Sequence, residues 1–255
     1  MTDETAQAAL DRAIDEHEQL LLVYQPIHDA DSGAIYGAEA LLRQRRRSGE
    51  IREASVITET AEENGGPELY RLDSMVVKQA YSDAARWPGG VRLNVNLSPR
   101  EFEDGNVLER LEGLVTSCGV DPQKVNLEIT ETSYIKHPRE TMKVLEALRE
   151  RGVSLWLDDF GTGHSSIAHL QHFPLDGLKI PGAFVKELPG EPRSRAIAKA
   201  LVALAHDLDL EVIAEEVETQ EQLDFFLDLD CDYIQGFFFN KPMTAAEFEQ
   251  LLGRQ

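Results

Sequence analysis

The stretch Val125-Asn126-Leu127-Glu128-Ile129-Thr130 carries apolar and polar side chains in strict alternation. Because side chains in a strand alternate with a period of two, its three apolar residues face one way, while Asn126 and Glu128 face the other. The stretch therefore predicts a strand whose apolar face packs against covering helices and whose opposite face carries polar groups near its carboxyl end.

Seven more stretches of strand length surround this one along the chain. They lie near residues 21–27, 34–42, 91–97, 153–158, 177–180, 211–214 and 233–239. Helical patterns lie near residues 53–64, 68–85, 99–118, 138–151, 164–172, 192–208 and 219–229 and after Thr244. Strands that alternate with helices indicate βα units. The connection at residues 28–33 is too short for a crossover helix, so the first two strands should form an antiparallel hairpin. The predicted fold class is α/β, a TIM-like (β/α)8 barrel with an antiparallel first strand.

The length and composition indicate one globular domain. The chain has 255 residues, which suits a single barrel over residues 1–255. Leu10 and Ile14 lie at helical spacing among acids, so we expect residues 1–19 to form a helix that packs on or beside the barrel. Only Cys118 and Cys231 occur, which argues against a disulfide framework and against a thiolate metal site.

Charge and hydropathy exclude two classes of partner. The net charge of −21 argues against binding to polymeric nucleic acid. No apolar run approaches the roughly 20 residues that cross a bilayer, and the first residues lack the basic region of a signal peptide. We therefore expect no membrane partner and a cytoplasmic location.

Polar residues recur near the carboxyl ends of the predicted strands, on the face opposite the apolar residues. In a barrel of this kind those strand ends converge on one opening, where such barrels carry their active sites. Independent surface residues would not all lie on the same face at the same ends of several strands, so the pattern indicates a shared site. The residues expected to face inward are Glu39, Asn96, Glu128, Asp158, Asp159, Lys179, Glu215 and Gln235.

Five carboxylates and one ammonium in a single pocket need further positive charge, because like charges at short distance raise each other's pKa values. Bound cations supply it, and oxygen ligands without cysteine favour Mg²⁺ or Mn²⁺. The adjacent pair Asp158-Asp159 can serve two ions, so we expect two per active site. Two-metal sites are typical of phosphoester hydrolysis, which predicts a phosphodiester or phosphomonoester substrate.

An ordered set of sequence motifs covers nearly the whole chain. The signature is Glu39-Ala40-Leu41-Leu42-Arg43. The other motifs are Tyr24-Gln25-Pro26-Ile27, Asn94-Val95-Asn96-Leu97-Ser98, Glu128-Ile129-Thr130-Glu131, Asp158-Asp159-Phe160-Gly161-Thr162-Gly163 and Gln235-Gly236-Phe237. This set resembles the EAL domain family of cyclic di-GMP phosphodiesterases. The resemblance implies hydrolysis of cyclic di-GMP to linear pGpG by a homodimeric, metal-dependent barrel enzyme.

The resemblance also implies roles for individual residues. The implied ligands of the first metal ion are Glu39, Asn96, Glu128 and Asp158, and those of the second are Asp158, Asp159 and Glu215. Lys179 would hold and polarise the attacking water, with Glu215 as a base. The implied substrate-binding residues are Gln25, Leu42, Arg43 and Gln235. A regulatory loop is implied at Glu131, Phe160, Gly161, Thr162 and Gly163.

Two positions depart from the family pattern near the proposed catalytic residues. Pro181 stands where the family usually has Asp, and Glu216 stands where it usually has Gly. A missing carboxylate near Lys179 could loosen its orientation, and Glu is poorly suited to a backbone bend that Gly permits. These departures keep open a second hypothesis, a catalytically weak or inactive receptor that binds cyclic di-GMP and signals to a partner.

Overall fold

Eight strands pair side by side and close into a barrel, to which two short strands are added. The computed structural model describes residues 20–45, 48–103, 105–130, 138–162, 170 and 173–254. The strands are β1 (Leu20–Asp29), β2 (Ile35–Arg45), β3 (Ile51–Glu53), β4 (Arg92–Asn96), β5 (Val125–Thr130), β6 (Ser154–Asp158), β7 (Gly177–Ile180), β8 (Glu211–Ala214), β9 (Tyr233–Gln235) and β10 (Met243–Thr244).

The barrel is mixed in direction. Strand β2 and strands β4 to β9 run parallel to one another. Strand β1 is antiparallel to both β2 and β9, and its pairing with them closes the barrel. The prediction of a TIM-like barrel with an antiparallel first strand is therefore confirmed. The short strands β3 and β10, which pair with β2 and β1, were not predicted.

The helices lie between consecutive strands and cover the barrel. They are α1 (Ser55–Asn64), α2 (Gly66–Ala84), α3 (Val107–Cys118), α4 (Pro138–Glu150), α5 (Gly182–Val185), α6 (Pro192–Asp207), α7 (Gln220–Leu227) and α8 (Ala245–Leu252). The pattern predicted over residues 99–118 is two elements, since a 3-10 helix at Pro99–Glu103 precedes α3. The predicted helix at residues 1–19, and that at 164–172 apart from Leu170, lie outside the described residues.

Local sequence signals mark the ends of the last two helices. Thr219 and Thr244 each accept a hydrogen bond from the third residue of the helix that follows, and Gln222 and Glu247 return the contact. These capping boxes satisfy backbone groups that a helix end leaves without partners. None of the helices in the described ranges is long and apolar enough to cross a bilayer.

Apolar side chains fill both sides of the barrel wall, but not its whole interior. The outward residues of the central strands, such as Leu127 and Leu155, are fully buried against the helices. Inside the barrel, Ile27, Trp156 and Ile213 form a separate apolar cluster against which Tyr36 and Tyr233 pack. Since both tyrosines lie at the starts of their strands, this cluster fills the amino-terminal end, and the polar side chains lie at the opposite end.

The last barrel strand ends at Gln235, four residues earlier than predicted. The next residue, Gly236, lies so close to the backbone of Val217 that an added Cβ would overlap the N, C and O atoms of Val217. Val217 donates a backbone hydrogen bond to Gln235 and accepts one from Phe238. The chain therefore leaves the sheet at Gly236, and the apolar run after it forms a loop beside the barrel opening.

The different surroundings of Gly236 and Gly113 predict opposite effects of glycine-to-alanine changes on stability. Gly236→Ala should lower the free energy of unfolding by about 3 kcal/mol, because neither backbone segment can move away easily. Gly113→Ala is the control, since Gly113 lies on an exposed face of α3 with no atom within 4 Å of an added Cβ. It should stabilise the protein by about 0.5–1 kcal/mol. Urea unfolding measures both, and equal stabilities for the two variants would contradict the interpretation.

Candidate active site

Lys179 lies at the barrel mouth, which is the opening at the carboxyl ends of β4 to β9, and four carboxylates surround its ammonium. The Nζ atom lies 2.7 Å from Glu215 Oε1, 3.0 Å from Glu128 Oε2, 3.4 Å from Asp158 Oδ2 and 3.5 Å from Glu39 Oε2. Only 1% of the Lys179 side chain is exposed. The structure thus brings together five of the eight residues predicted to face inward.

Strand register explains this convergence. Asn96 of β4 is aligned with Glu128 of β5, and Thr130 at the end of β5 is aligned with Asp158 at the end of β6. Lys179 is the third residue of β7, and Glu215 directly follows β8. Because parallel strands carry alternate side chains to the barrel interior, residues near their carboxyl ends reach one mouth.

Two side-chain amides hold the carboxylate of Glu39. Asn96 Nδ2 donates to Glu39 Oε1 over 2.8 Å, and Gln235 Nε2 donates to Glu39 Oε2 over 2.8 Å. Gln235 Nε2 also lies 3.4 Å from the acceptor Gln25 Oε1. Asn96 and Gln235 are therefore bonded directly to the carboxylate cluster, and Gln25 is joined to it through Gln235.

The remaining predicted residues lie around the mouth and beyond it. Asp159 is exposed, and its backbone N–H donates to Asp158 Oδ1 over 2.8 Å. Arg43 lines the mouth beside Gln25, whereas Leu42 lines a neighbouring cavity. In the predicted regulatory loop Phe160 is buried, while Gly161 and Thr162 are exposed. Glu131 and Gly163 lie outside the described residues.

The crowding of charge shifts the pKa values of these groups. Burial raises the pKa of Glu128 well above its usual value and that of Glu215 to about 8, although Lys179 opposes both shifts. Burial also disfavours ionised Glu39, but Lys179 and the two amides more than offset it and lower its pKa. Burial works against the ammonium of Lys179, yet the surrounding carboxylates raise its pKa well above the usual value. Lys179 is therefore charged, but its single positive charge cannot balance the negative charge of four ionised carboxylates.

The donors at the mouth suit a hard divalent cation. Carboxylates and an amide are all oxygen ligands, the kind that Mg²⁺ and Mn²⁺ prefer. Within the described ranges, no three His, Cys, Asp or Glu side chains are grouped to hold a metal ion as they stand. The four carboxylates already surround one cation, the ammonium of Lys179. The residues therefore fit such an ion in chemistry and charge.

Comparison with known protein families matches residues 7–242 to the EAL domain. The chain belongs to the EAL domain family. The resemblance noted from the motifs is thus confirmed over nearly the whole chain, and the barrel with its antiparallel first strand is the fold expected of that family.

Individual relatives agree with this assignment. The chain is 35% identical to the cyclic di-GMP phosphodiesterase NbdA of Pseudomonas aeruginosa, over 99% of this chain and 32% of NbdA. It is 33% identical to the signaling protein YkoW of Bacillus subtilis, over 94% of this chain and 30% of YkoW. The solved complex of the PaMucR phosphodiesterase with c-di-GMP has a TM-score of 0.89 and 31% identity, covering 96% of this chain and 99% of that one. The chain spans about a third of the length of NbdA and YkoW.

The two departures from the EAL pattern meet at the rim of the mouth. Glu216 has a left-handed backbone with φ of 51°, a conformation that costs L-residues energy and that Gly adopts freely. Its side chain lies over Gly182, where an added Cβ would overlap it, and forms an ion pair with Lys186 at 3.0 Å. Pro181 precedes this glycine and is buried. Glu215 nevertheless remains 2.7 Å from Lys179, so Glu216 does not displace its neighbour.

Asp73 is a candidate site residue that the sequence analysis missed. It lines a cavity of about 350 Å³ next to the mouth, together with Leu42, Arg43 and Asn96. Its Oδ2 atom is buried and has no hydrogen-bond partner among the described residues. Burial and the nearby Glu62 raise the pKa of Asp73 to about 7. The signal in the sequence is an acid in an apolar face of a predicted helix, and such an acid requires a partner or a ligand.

The raised pKa of Glu215 predicts how stability depends on pH when metal is removed. The pKa rises from 4.5 to about 8 in the folded protein, so within that range the folded state binds a proton that the unfolded chain has lost. Stability should therefore fall as the pH rises from about 5 to about 8. The raised pKa values of Glu128 and Asp73 add to this fall. The pKa shifts of Glu39 and Lys179 act outside this range, because the first pKa lies below 4.5 and the second above 10.5.

Thermal unfolding with a chelator present measures this effect. Glu215→Gln should reduce the fall in melting temperature between about pH 5 and about pH 8, since glutamine has no proton to lose. Glu146→Gln on the exposed face of α4 is the matched control and should keep the parent's slope. An identical slope in Glu215→Gln and the parent would show that Glu215 ionises normally.

Proposed function

We propose that this EAL domain is a metal-dependent phosphodiesterase that hydrolyses cyclic di-GMP to linear pGpG. The observation that carries the proposal is the group of four carboxylates around Lys179 at the barrel mouth. The name of the relative NbdA and the c-di-GMP complex of PaMucR support the reaction and the ligand.

Two Mg²⁺ or Mn²⁺ ions per active site are the cofactor that we propose. The residues that would hold them are Glu39, Asn96, Glu128, Asp158, Asp159 and Glu215. When bound, such ions polarise a phosphoryl oxygen and lower the pKa of a water molecule. The excess of carboxylates over ammonium groups at the mouth supports the binding of cations. Without cations, buried carboxylates that lie close together raise each other's pKa values and become protonated.

The residues of the chain itself would orient water and substrate. Lys179 is fixed among carboxylates, so its ammonium can hold the attacking water by one hydrogen bond and keep it aligned. Glu215, the nearest of those carboxylates, would accept the proton that the water gives up. Attack of the water oxygen on phosphorus would form one P–O bond and break the bond to the ribose oxygen, which takes up a proton from solvent and leaves as a hydroxyl. The product is a linear dinucleotide with one terminal phosphate.

Substrate contacts would come from the walls of the mouth. Gln25, Arg43 and Gln235 line it together, and the guanidinium of Arg43 can pair with a phosphate. Leu42 would supply an apolar contact at the entrance of the neighbouring cavity. These roles rest on the lining of the cavities and on the resemblance of the motifs.

Asp73 would recognise a guanine base in the neighbouring cavity. A carboxylate there can accept two hydrogen bonds from the N1–H and N2–H groups of guanine, which adenine lacks in that arrangement. The buried, unpaired Oδ2 atom and the position beside Arg43 support this role. The same contact would also explain how such a site distinguishes guanine from adenine.

The second candidate function is a receptor that binds cyclic di-GMP without cleaving it. Pro181 in place of Asp and the left-handed backbone at Glu216 favour it. Against it stands the retention of every residue proposed as a metal ligand, with Glu215 Oε1 2.7 Å from Lys179 Nζ. A receptor needs the pocket but not this charge cluster, so the enzyme is the better-supported function.

Turnover separates the two functions. We expect the parent to convert cyclic di-GMP to linear pGpG in Mg²⁺ or Mn²⁺, and Glu39→Gln to lose roughly 100-fold or more of that rate, since a ligand should matter at least as much as its supporting groups. Glu146→Gln, remote on α4, should match the parent. Chromatography of the nucleotides measures the products. Tight binding without product in either metal would establish the receptor instead.

A binding experiment tests Asp73 separately. Asp73→Asn should weaken cyclic di-GMP binding roughly 10- to 100-fold, because one acceptor for the guanine edge becomes a donor. Calorimetry at low temperature with Ca²⁺ in place of Mg²⁺ measures binding. Glu62→Gln is the control, since it removes an exposed acid from the same cavity. Equal losses in both variants would mean that general charge, and not contact with guanine, governs affinity.

Four further parts of the proposal rest on the family resemblance or on composition alone. They are a homodimer, a regulatory loop that includes Glu131 and residues 160–163, one domain over residues 1–255 with a helix at residues 1–19, and a cytoplasmic location. Sedimentation equilibrium would test the dimer directly, and a monomer at micromolar concentration would contradict it.

A further inference from the structure

Two buried asparagines lie directly beneath the carboxylates of the mouth and have no part in the proposed chemistry. Asn94 and Asn126 are both fully buried. Asn126 Nδ2 donates to Asn94 Oδ1 over 2.9 Å, and Asn94 Nδ2 donates to Glu128 Oε1 over 2.7 Å. Asn126 Nδ2 also lies 3.2 Å from the hydroxyl of Tyr36. A chain of hydrogen bonds thus runs from the aromatic end of the barrel interior to the mouth.

Strand register places this pair below the site. Asn94 and Asn126 are aligned across β4 and β5, and the next aligned pair on the same face is Asn96 with Glu128. The asparagines therefore form a layer between the apolar cluster around Trp156 and the carboxylates. Apolar side chains could fill this layer at lower cost, because burying an amide requires a hydrogen bond for each of its groups.

The order of donors and acceptors fixes the orientation of Glu128. An amide side chain accepts hydrogen bonds only at its oxygen and donates them only from its nitrogen, which carries two N–H groups. Because Asn126 donates to the oxygen of Asn94, the nitrogen of Asn94 must face Glu128. That contact occupies Glu128 Oε1, and Oε2 is left to face Lys179 at 3.0 Å. One oxygen of the carboxylate is held from below while the other is presented to the mouth.

We infer that Asn94 and Asn126 are positioning residues for cation binding, which act by holding Glu128 with Oε2 toward the mouth. The inference rests on the proposed function, since the cation is the one proposed there. Asn94 acts on Glu128 directly, and Asn126 acts through Asn94. Groups that orient a metal ligand from behind typically change metal affinity 10- to 100-fold when they are removed.

Calorimetric titration of the chelator-treated protein with Mn²⁺ tests this inference without reference to catalysis. Asn94→Leu should bind Mn²⁺ roughly 10- to 100-fold more weakly than the parent, because Glu128 loses the donor that orients it. Asn126→Leu should show a smaller loss, since Asn94 keeps its donor but is free to turn. The double variant should bind no more weakly than Asn94→Leu, which is the non-additivity expected of residues in one network.

Val202→Ala is the control for a loss of stability, since it shortens a buried side chain on α6, away from the mouth. It should lower the melting temperature and leave Mn²⁺ affinity unchanged when binding is measured well below that temperature. Unchanged affinity in Asn94→Leu, with the parent binding Mn²⁺, would overturn the positioning role and leave the proposed function intact. Additive losses in the double variant would overturn the dependence of Asn126 on Asn94. A parent that binds neither Mn²⁺ nor Mg²⁺ would remove both the inference and the proposed function.

Discussion

Four carboxylates within 3.5 Å of one buried ammonium form the constraint on which the rest of this molecule depends. In a medium less polar than water, a carboxylate that lacks a counter-charge is neutralised by a proton or by a cation. Lys179 supplies one positive charge, which does not balance four carboxylates. The pKa values of Glu128 and Glu215 are accordingly raised. The site is therefore built to receive further positive charge, at some cost to the stability of the metal-free fold.

The barrel makes this arrangement possible by separating two kinds of interior. Tyr36, Trp156 and Tyr233 fill the end where the parallel strands begin, so packed side chains occupy that end of the interior. The opposite end collects one polar side chain from each of several strands. The antiparallel strand β1 contributes as well, since its Gln25 is aligned with Glu39 and lies near Gln235. A rigid ring of backbone hydrogen bonds thus sets the distances between acids that are far apart in sequence.

Period-two alternation is the reason that so much could be predicted from the sequence. It assigns Glu128 and Lys179 to the interior without knowledge of their neighbours, and closure of the barrel then brings them together. The alternation carries no information about how a helix is placed against the sheet, so it could not locate Asp73 beside the mouth. It also failed after Gln235, where an apolar run resembled a strand but the contact between Gly236 and Val217 ends the pairing. A four-residue helix such as α5 is too short for any periodicity to reveal.

The departures from the family pattern alter the rim of the mouth and spare its centre. Glu216 adopts the left-handed backbone that a glycine would take, and the absence of a Cβ at Gly182 leaves room for its side chain. Its ion pair with Lys186 is largely exposed, so it contributes little energy and can be exchanged for another partner. Glu216 therefore does not restore beside Lys179 the carboxylate that is missing at Pro181, but Lys179 still contacts four acids. Substitutions that leave the charge cluster intact but change the surrounding rim are expected to modify binding more than chemistry.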